Sequence, residues 1–121
     1  MAFRFKKFRV YQDVKKFVKE YSQVTRGYIK KKNPGLASQI DRALISIVLN
    51  IAEGSAGESD LDFARFLGIS IKSVNEVISG FDLANDLDLI NENVLYKIEE
   101  DAGNLLKQLS SFRKKTQKLK P

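Results

Sequence analysis

Apolar residues fall into four stripes along the chain, each repeating at alternating steps of about four and three residues. The first runs through Val10, Val14, Phe17, Tyr21, Val24 and Tyr28, a spacing that keeps side chains on one face of an α-helix. It stops at Lys30, Lys31 and Lys32, cations favoured at a helix C-terminus, and Asn33-Pro34-Gly35 follows as a turn. Asn33 is placed to cap a second helix, with Pro34 at its first position, where a missing N–H costs nothing. That helix continues through Leu36, Ile40, Leu44, Ile47 and Ile51 to Gly54, read as its terminator. Ser59, followed by Asp60 and Asp62, predicts the N-cap and acidic first turn of a third helix. Its stripe is Phe63, Leu67, Ser70, Val74, Val77, Phe81 and Ala84, ending around Leu87 to Ile90. Asn91 then offers a cap for a fourth helix, marked by Leu95, Ile98, Ala102, Leu105, Leu109 and Phe112.

Short connections between long helices predict a single all-α domain over residues 1–121, an antiparallel up-down-up-down four-helix bundle. Residues 1–8 are expected as an N-terminal arm and 113–121 as a basic tail that frays. A chain of 121 residues and 13.7 kDa, 43% hydrophobic, fits one domain with a real core. It has no cysteine and no histidine. Disulfides, thiolate or imidazole metal sites and serine–histidine catalysis are therefore excluded. No cofactor or metal is expected, and no nucleophile–base pair is legible, so an enzyme is not expected either. The start of the chain alternates Phe with Arg or Lys and does not read as a secretory signal. The longest apolar stretch, Ala43 to Ala52, is broken by Ser46 and Asn50 and is roughly half a membrane span. A cytoplasmic protein with no membrane partner is the expectation.

The second helix is the unusual one. Gln39, Arg42, Ser46, Asn50 and Glu53 fall within an arc of about 80° on the helical wheel. Beyond them Ile45, Val48, Leu49 and Ala52 make a second apolar flank, whereas a bundle helix needs only one. The expected cover is another copy of the same chain. On the third helix Ile69, Ser73, Glu76 and Gly80 share a strip beside the core face, small enough in part for a neighbouring backbone to approach. Arg42 or Gln39 is expected to pair with Glu76, and Asn50 with Ser73, at an inter-helix or inter-subunit seam. Glu53 lies at the disfavoured end of its helix dipole, so its expected partner is Arg42 of a neighbouring copy or loop N–H groups. A register-fixing network and a ligand site both remain open for this stripe.

Charge is segregated. Residues 1–32 hold 11 Lys and Arg against 2 Asp and Glu, residues 33–101 hold 4 against 13, and residues 102–121 hold 6 against none. The net is +6. First and last helices of such a bundle are neighbours. Arg4, Lys6, Lys7 and Arg9 are thus expected at the same end as Arg113, Lys114, Lys115, Lys118 and Lys120, with Lys30, Lys31 and Lys32 at the other. Beside Tyr11 and several phenylalanines such a patch suits phosphates and stacked bases. Solvated faces drawn to the acidic middle of a neighbouring copy are the alternative.

Four segments carry a resemblance: Phe8-Arg-Val-Tyr-Gln12, Leu36-x-x-Gln-Ile-x-Arg-Ala43, Ser46-Ile-x-x-Asn-Ile-Ala-Glu-Gly54, and Phe63-x-x-Phe-Leu-x-Ile69 with Ser73 and Glu76. Over about Phe8 to Phe112 the chain resembles the proteins of the 23S ribosomal RNA intervening-sequence type, also labelled the S23 ribosomal protein family. The resemblance implies a left-handed up-down-up-down bundle, commonly a ring of five subunits, in a family whose biochemical role is not established. Its genes are sometimes found inside insertions in large ribosomal RNA genes. The accessory protein of diversity-generating retroelements is similar in fold, and there a pentameric basic barrel binds nucleic acid and reverse transcriptase. This chain departs from the family pattern at Lys72-Ser73, where Gly-Ser is usual, and at Val14, where a small residue is usual. Two functions stay open: a non-enzymatic RNA- or DNA-binding homo-oligomer, and a protein-interaction ring that binds no nucleic acid.

Overall fold

Three side-chain caps set the helix starts. Asn33 Oδ1 accepts from the Leu36 N–H at 3.1 Å, Ser59 Oγ from Asp62 at 3.0 Å, and Asn91 Oδ1 from Val94 at 3.0 Å. Each satisfies a backbone donor that the first helical turn leaves unpaired. The computed structural model describes residues 3–57 and 59–118, without the side chain of Lys118. Within them lie α1 (Arg9–Val24), α2 (Pro34–Ser55), α3 (Asp60–Asp86) and α4 (Glu92–Lys118), and no strand. The protein is a four-helix bundle. α1 packs against α2 and α4, and α3 against the same two helices.

The stripes of α3 and α4 land as their spacing predicts. Every residue of the α3 stripe is buried, Ser70 included, and its hydroxyl donates to the Ile47 carbonyl of α2 at 3.0 Å. On α4, Ile98, Ala102, Leu105 and Leu109 are buried, with Leu95 and Phe112 half-buried at the ends. α3 closes on Asp88, whose φ of 60° is the left-handed conformation usual for glycine and tolerated by Asp.

α1 departs from its predicted stripe. At Thr25–Ile29 the helix widens into one π turn, in which the Lys30 N–H reaches back five residues to the Thr25 carbonyl at 2.8 Å. The extra residue moves the buried positions on by one. Thr25 and Ile29 face the core, while Val24 is half-buried and Tyr28 is 62% exposed. The buried Thr25 hydroxyl is satisfied by Ser22 O and by Asp41 Oδ1 of α2, at 2.8 and 2.7 Å.

The described residues of both terminal segments, 3–8 and 113–118, are anchored to the bundle. In the N-terminal arm, residues Arg4–Lys7 form a 3-10 turn. Arg4 Nε donates to the Ser55 carbonyl at 3.0 Å, and Phe8 packs on Phe63 and Phe112. The expected fraying after Phe112 does not occur through Lys118. Arg113 Nε donates to the Ala64 carbonyl at 3.0 Å, across the gap left by Gly68, and Thr116 is buried. An arginine stem laid over a glycine extends the packed face although its head is charged. The end of the proposed tail, Lys120 included, lies outside the described residues, as does Glu58 of the α2–α3 loop.

Gly54 does not terminate α2. It sits inside the last turn, without a left-handed φ, against the first turn of α3. A Cβ there would meet Phe66 Cβ at 2.7 Å and Phe63 Cδ1 at 2.8 Å. Gly80 plays the same part lower down, facing Ile40. Lys72 is exposed, so the departure from Gly-Ser leaves the α2–α3 contact undisturbed, and Val14 is fully buried.

Candidate nucleic-acid and assembly surfaces

The polar stripe of α2 splits in two. Ser46 is its hub: its hydroxyl accepts from Ser73 Oγ of α3 and from Asn50 Nδ2, both at 2.9 Å, and Asn50 also donates to the Ser46 carbonyl at 2.8 Å. Asn50 therefore reaches Ser73 through Ser46 rather than directly. This is an inter-helix seam with its hydrogen bonds made within one chain. Gln39, Arg42, Glu53 and Glu76 stand outside it, exposed. Within one chain, and among the described residues, Arg42 and Glu76 form no ion pair and Glu53 has no cation within 4.0 Å.

Next to this seam, Ile45 and Leu49 are 51% and 55% exposed on the back of α2, with Val48 and Ala52 half-buried beside them. By length and composition alone α2 is apolar enough to cross a membrane. Its apolarity has two sources: Ile40, Leu44, Ile47 and Ile51 fill the core, and Ile45 and Leu49 project the other way. Leu83 and Leu87 add exposed apolar area at the end of α3.

The basic residues do not act as one set. Arg4 is held by the Ser55 carbonyl and lies over the Phe8 and Phe63 rings, while Arg113 is held by the Ala64 carbonyl. Both are structural as much as electrostatic. Arg9 lies 3.7 Å from Asp13. Lys6, Lys7, Lys114 and Lys115 are exposed and make no ion pair among the described residues. Phe8, Arg9, Phe112 and Lys115 line one cleft, so the start of α1 and the end of α4 do share an end of the bundle. Lys30, Lys31 and Lys32 are exposed at the α1–α2 turn, beyond the π turn.

One polar group escaped the sequence reading. Tyr21, 1% exposed, donates its hydroxyl to Asp101 Oδ2 of α4 at 2.6 Å. Lys97 bridges Asp101, at 3.7 Å, and Glu20 of α1. Burial first, then the hydrogen bond to Asp101 and the nearby carboxylates, hold the Tyr21 phenol well above its ordinary value of 10.0. The unfolded chain gives up this proton near pH 10.0 while the folded one keeps it. The resulting stabilisation is complete below that pH and is lost as pH rises above it. Tyr21→Phe should flatten this alkaline decline in urea unfolding and cost about 1 kcal/mol at neutral pH, through the lost hydrogen bond.

The fold and these surfaces define an all-α bundle with a hydrogen-bonded α2–α3 seam, an uncovered apolar flank and exposed cations where its ends meet. The chain belongs to the 23S rRNA-intervening sequence protein family, whose pattern it matches over residues 6–111. It is also similar to a crystal structure of a protein of unknown function from the S23 ribosomal protein family of Bacteroides thetaiotaomicron. The TM-score is 0.79 at 24% identity, over 87% of this chain and 98% of that one. At that identity the likeness is one of fold. No curated protein matches the chain.

Proposed function

We propose that the protein is a non-enzymatic, self-associating bundle that holds nucleic acid, RNA by association with its family, on its basic surfaces. The observation that carries this reading is the set of uncompensated cations where the first turn of the chain meets the end of α4. Lys6, Lys7, Lys107, Lys114 and Lys115 are all exposed, and among the described residues none has a carboxylate within 4.0 Å. Clustered unpaired lysines raise the local potential and attract a polyanion, whose counterions are released on binding. Self-association rests on Ile45 and Leu49, which are about half exposed in a single chain. The reading takes the helices in up-down-up-down order with a left-handed turn, and five copies in a ring, as the resemblance implies. Opposed pairs support the helix order: Asp13 with Gln108 and Tyr21 with Asp101, Ile40 with Gly80 and Ser46 with Ser73.

Filter binding to RNA across a salt series tests it. The expected log–log slope is negative, about −0.7 for each phosphate neutralised on a single strand. No binding at low salt, or binding indifferent to salt, overturns it. A second reading, a protein-interaction ring without nucleic acid, is favoured by Arg42, Glu53 and Glu76 beside the apolar flank, which make no ion pair among the described residues. It expects the Lys30→Ala, Lys31→Ala, Lys32→Ala variant to change subunit number, with no RNA affinity to lose. An unchanged assembly that has lost RNA affinity decides for the first reading.

A further inference from the structure

The cleft between the start of α1 and the end of α4, about 470 Å³, combines two kinds of surface. Its floor is apolar: Phe8, Val10 and Phe112, with the two phenylalanine rings edge to face at 5.0 Å and both half-buried. Its rim carries Arg9, Lys107 and Lys115. Asp13 is the carboxylate nearest the rim. It is engaged by Arg9 at 3.7 Å and by Gln108 Nε2 at 3.1 Å, and no carboxylate is paired with Lys107 or Lys115 among the described residues. The adjoining groove along α1 and α4 shares Arg9 and Lys107 with this cleft and adds the carboxylates Asp13, Glu20 and Asp101. Lys115 lines the phenylalanine cleft and not that groove, so the end of the cleft beside Phe112 carries a cation clear of those carboxylates.

We infer that this cleft seats one unpaired nucleotide of a bound nucleic acid, its base against Phe8 and Phe112 and its phosphate between Lys107, Lys115 and Arg9. The inference rests on the nucleic-acid reading above and adds to it a place and a strand preference. An aromatic floor under a cationic rim matches a flat apolar ring joined to an anion, the chemistry of a nucleotide with its base unstacked. In a duplex the bases are already stacked on one another, so a helix would touch the rim alone. An acidic peptide would satisfy the rim and leave the floor empty.

The test is fluorescence anisotropy of the full chain with a short labelled oligouridylate and with a duplex of equal length. The paired substitution Lys107→Gln and Lys115→Gln should weaken single-strand binding by about tenfold or more and shrink the salt slope by about 1.4. Phe112→Leu keeps an apolar side chain but removes the flat ring. It should weaken single-strand binding about tenfold and leave duplex binding unchanged, with melting confirming the fold. Single-strand affinity unchanged by the paired lysine substitution overturns the inference even if Phe112→Leu fails to fold. Loss of affinity only when Lys30, Lys31 and Lys32 become Ala overturns the cleft and leaves the nucleic-acid reading standing. No binding of either oligonucleotide by the wild type removes both, and capture of an acidic peptide by the same cleft would take their place.

Discussion

Gly54→Val destabilises the bundle by about 3 kcal/mol, read from the midpoint and slope of urea unfolding. The first two turns of α3 cross so close to the last turn of α2 that a single added carbon falls 2.7 Å from Phe66 Cβ. That atom is fixed to the α3 backbone, and no rotamer change moves it away. Phe63, 2.8 Å from the same point, is held between Phe8 and Phe112. Relief must come from separating two helices, and overpacking of this kind costs at the upper end of the usual 1–3 kcal/mol. Gly103 is the internal control. Nothing lies within 4 Å of a Cβ built there, so Gly103→Ala should stabilise α4 by about 0.5–1 kcal/mol through helix propensity alone. Equal destabilisation at both positions would show that the α2–α3 approach is not as close as described.

On the proposed self-association, Ile45→Asp combined with Leu49→Asp should leave a 13.7 kDa particle in light scattering where the wild type is larger, with helical content as it was. Both side chains are about half exposed in the single chain, so the substitutions remove little from the core. In an assembly that covers them, each contact forfeits the burial of two large aliphatic side chains and gains two charges without partners. With about half of each side chain left to cover, the lost burial is about 0.8–1.5 kcal/mol per side chain, and the affinity of one copy for the next falls at least about tenfold. A wild-type protein already at 13.7 kDa, or a variant of unchanged mass, would refute self-association through α2.

Helix starts and the inward stripes were legible because caps and apolar spacing are local signals. Asn33, Ser59 and Asn91 each cap the helix that the sequence assigns to them. The outward direction of Ile45 and Leu49 was equally legible, since a helical wheel fixes direction once the core face is known. The π turn was not. Val24 and Tyr28 continue one register while Thr25 and Ile29 fit the next, and only the hydroxyl acceptor on Asp41 of another helix separates them. Gly54 looked like a stop because a glycine at a helix end usually is one, and its crowding by Phe63 and Phe66 is a tertiary fact. Counting charges located the basic end of the bundle, yet it did not reveal that Arg4 and Arg113 are spent on backbone carbonyls or that the phenylalanines form a floor beneath the lysines.

The π turn leaves the first helix with a residue to spare. Removing one residue from inside a helix ordinarily throws everything after it a hundred degrees out of phase. Here Ile29 lies eight positions after Tyr21, and the wide turn takes up the surplus. A chain lacking Gly27, which touches nothing that a Cβ would reach, would place that isoleucine seven positions on, in step with an uninterrupted α-helix. A one-residue deletion within this turn should therefore leave the packing of Ile29 in place.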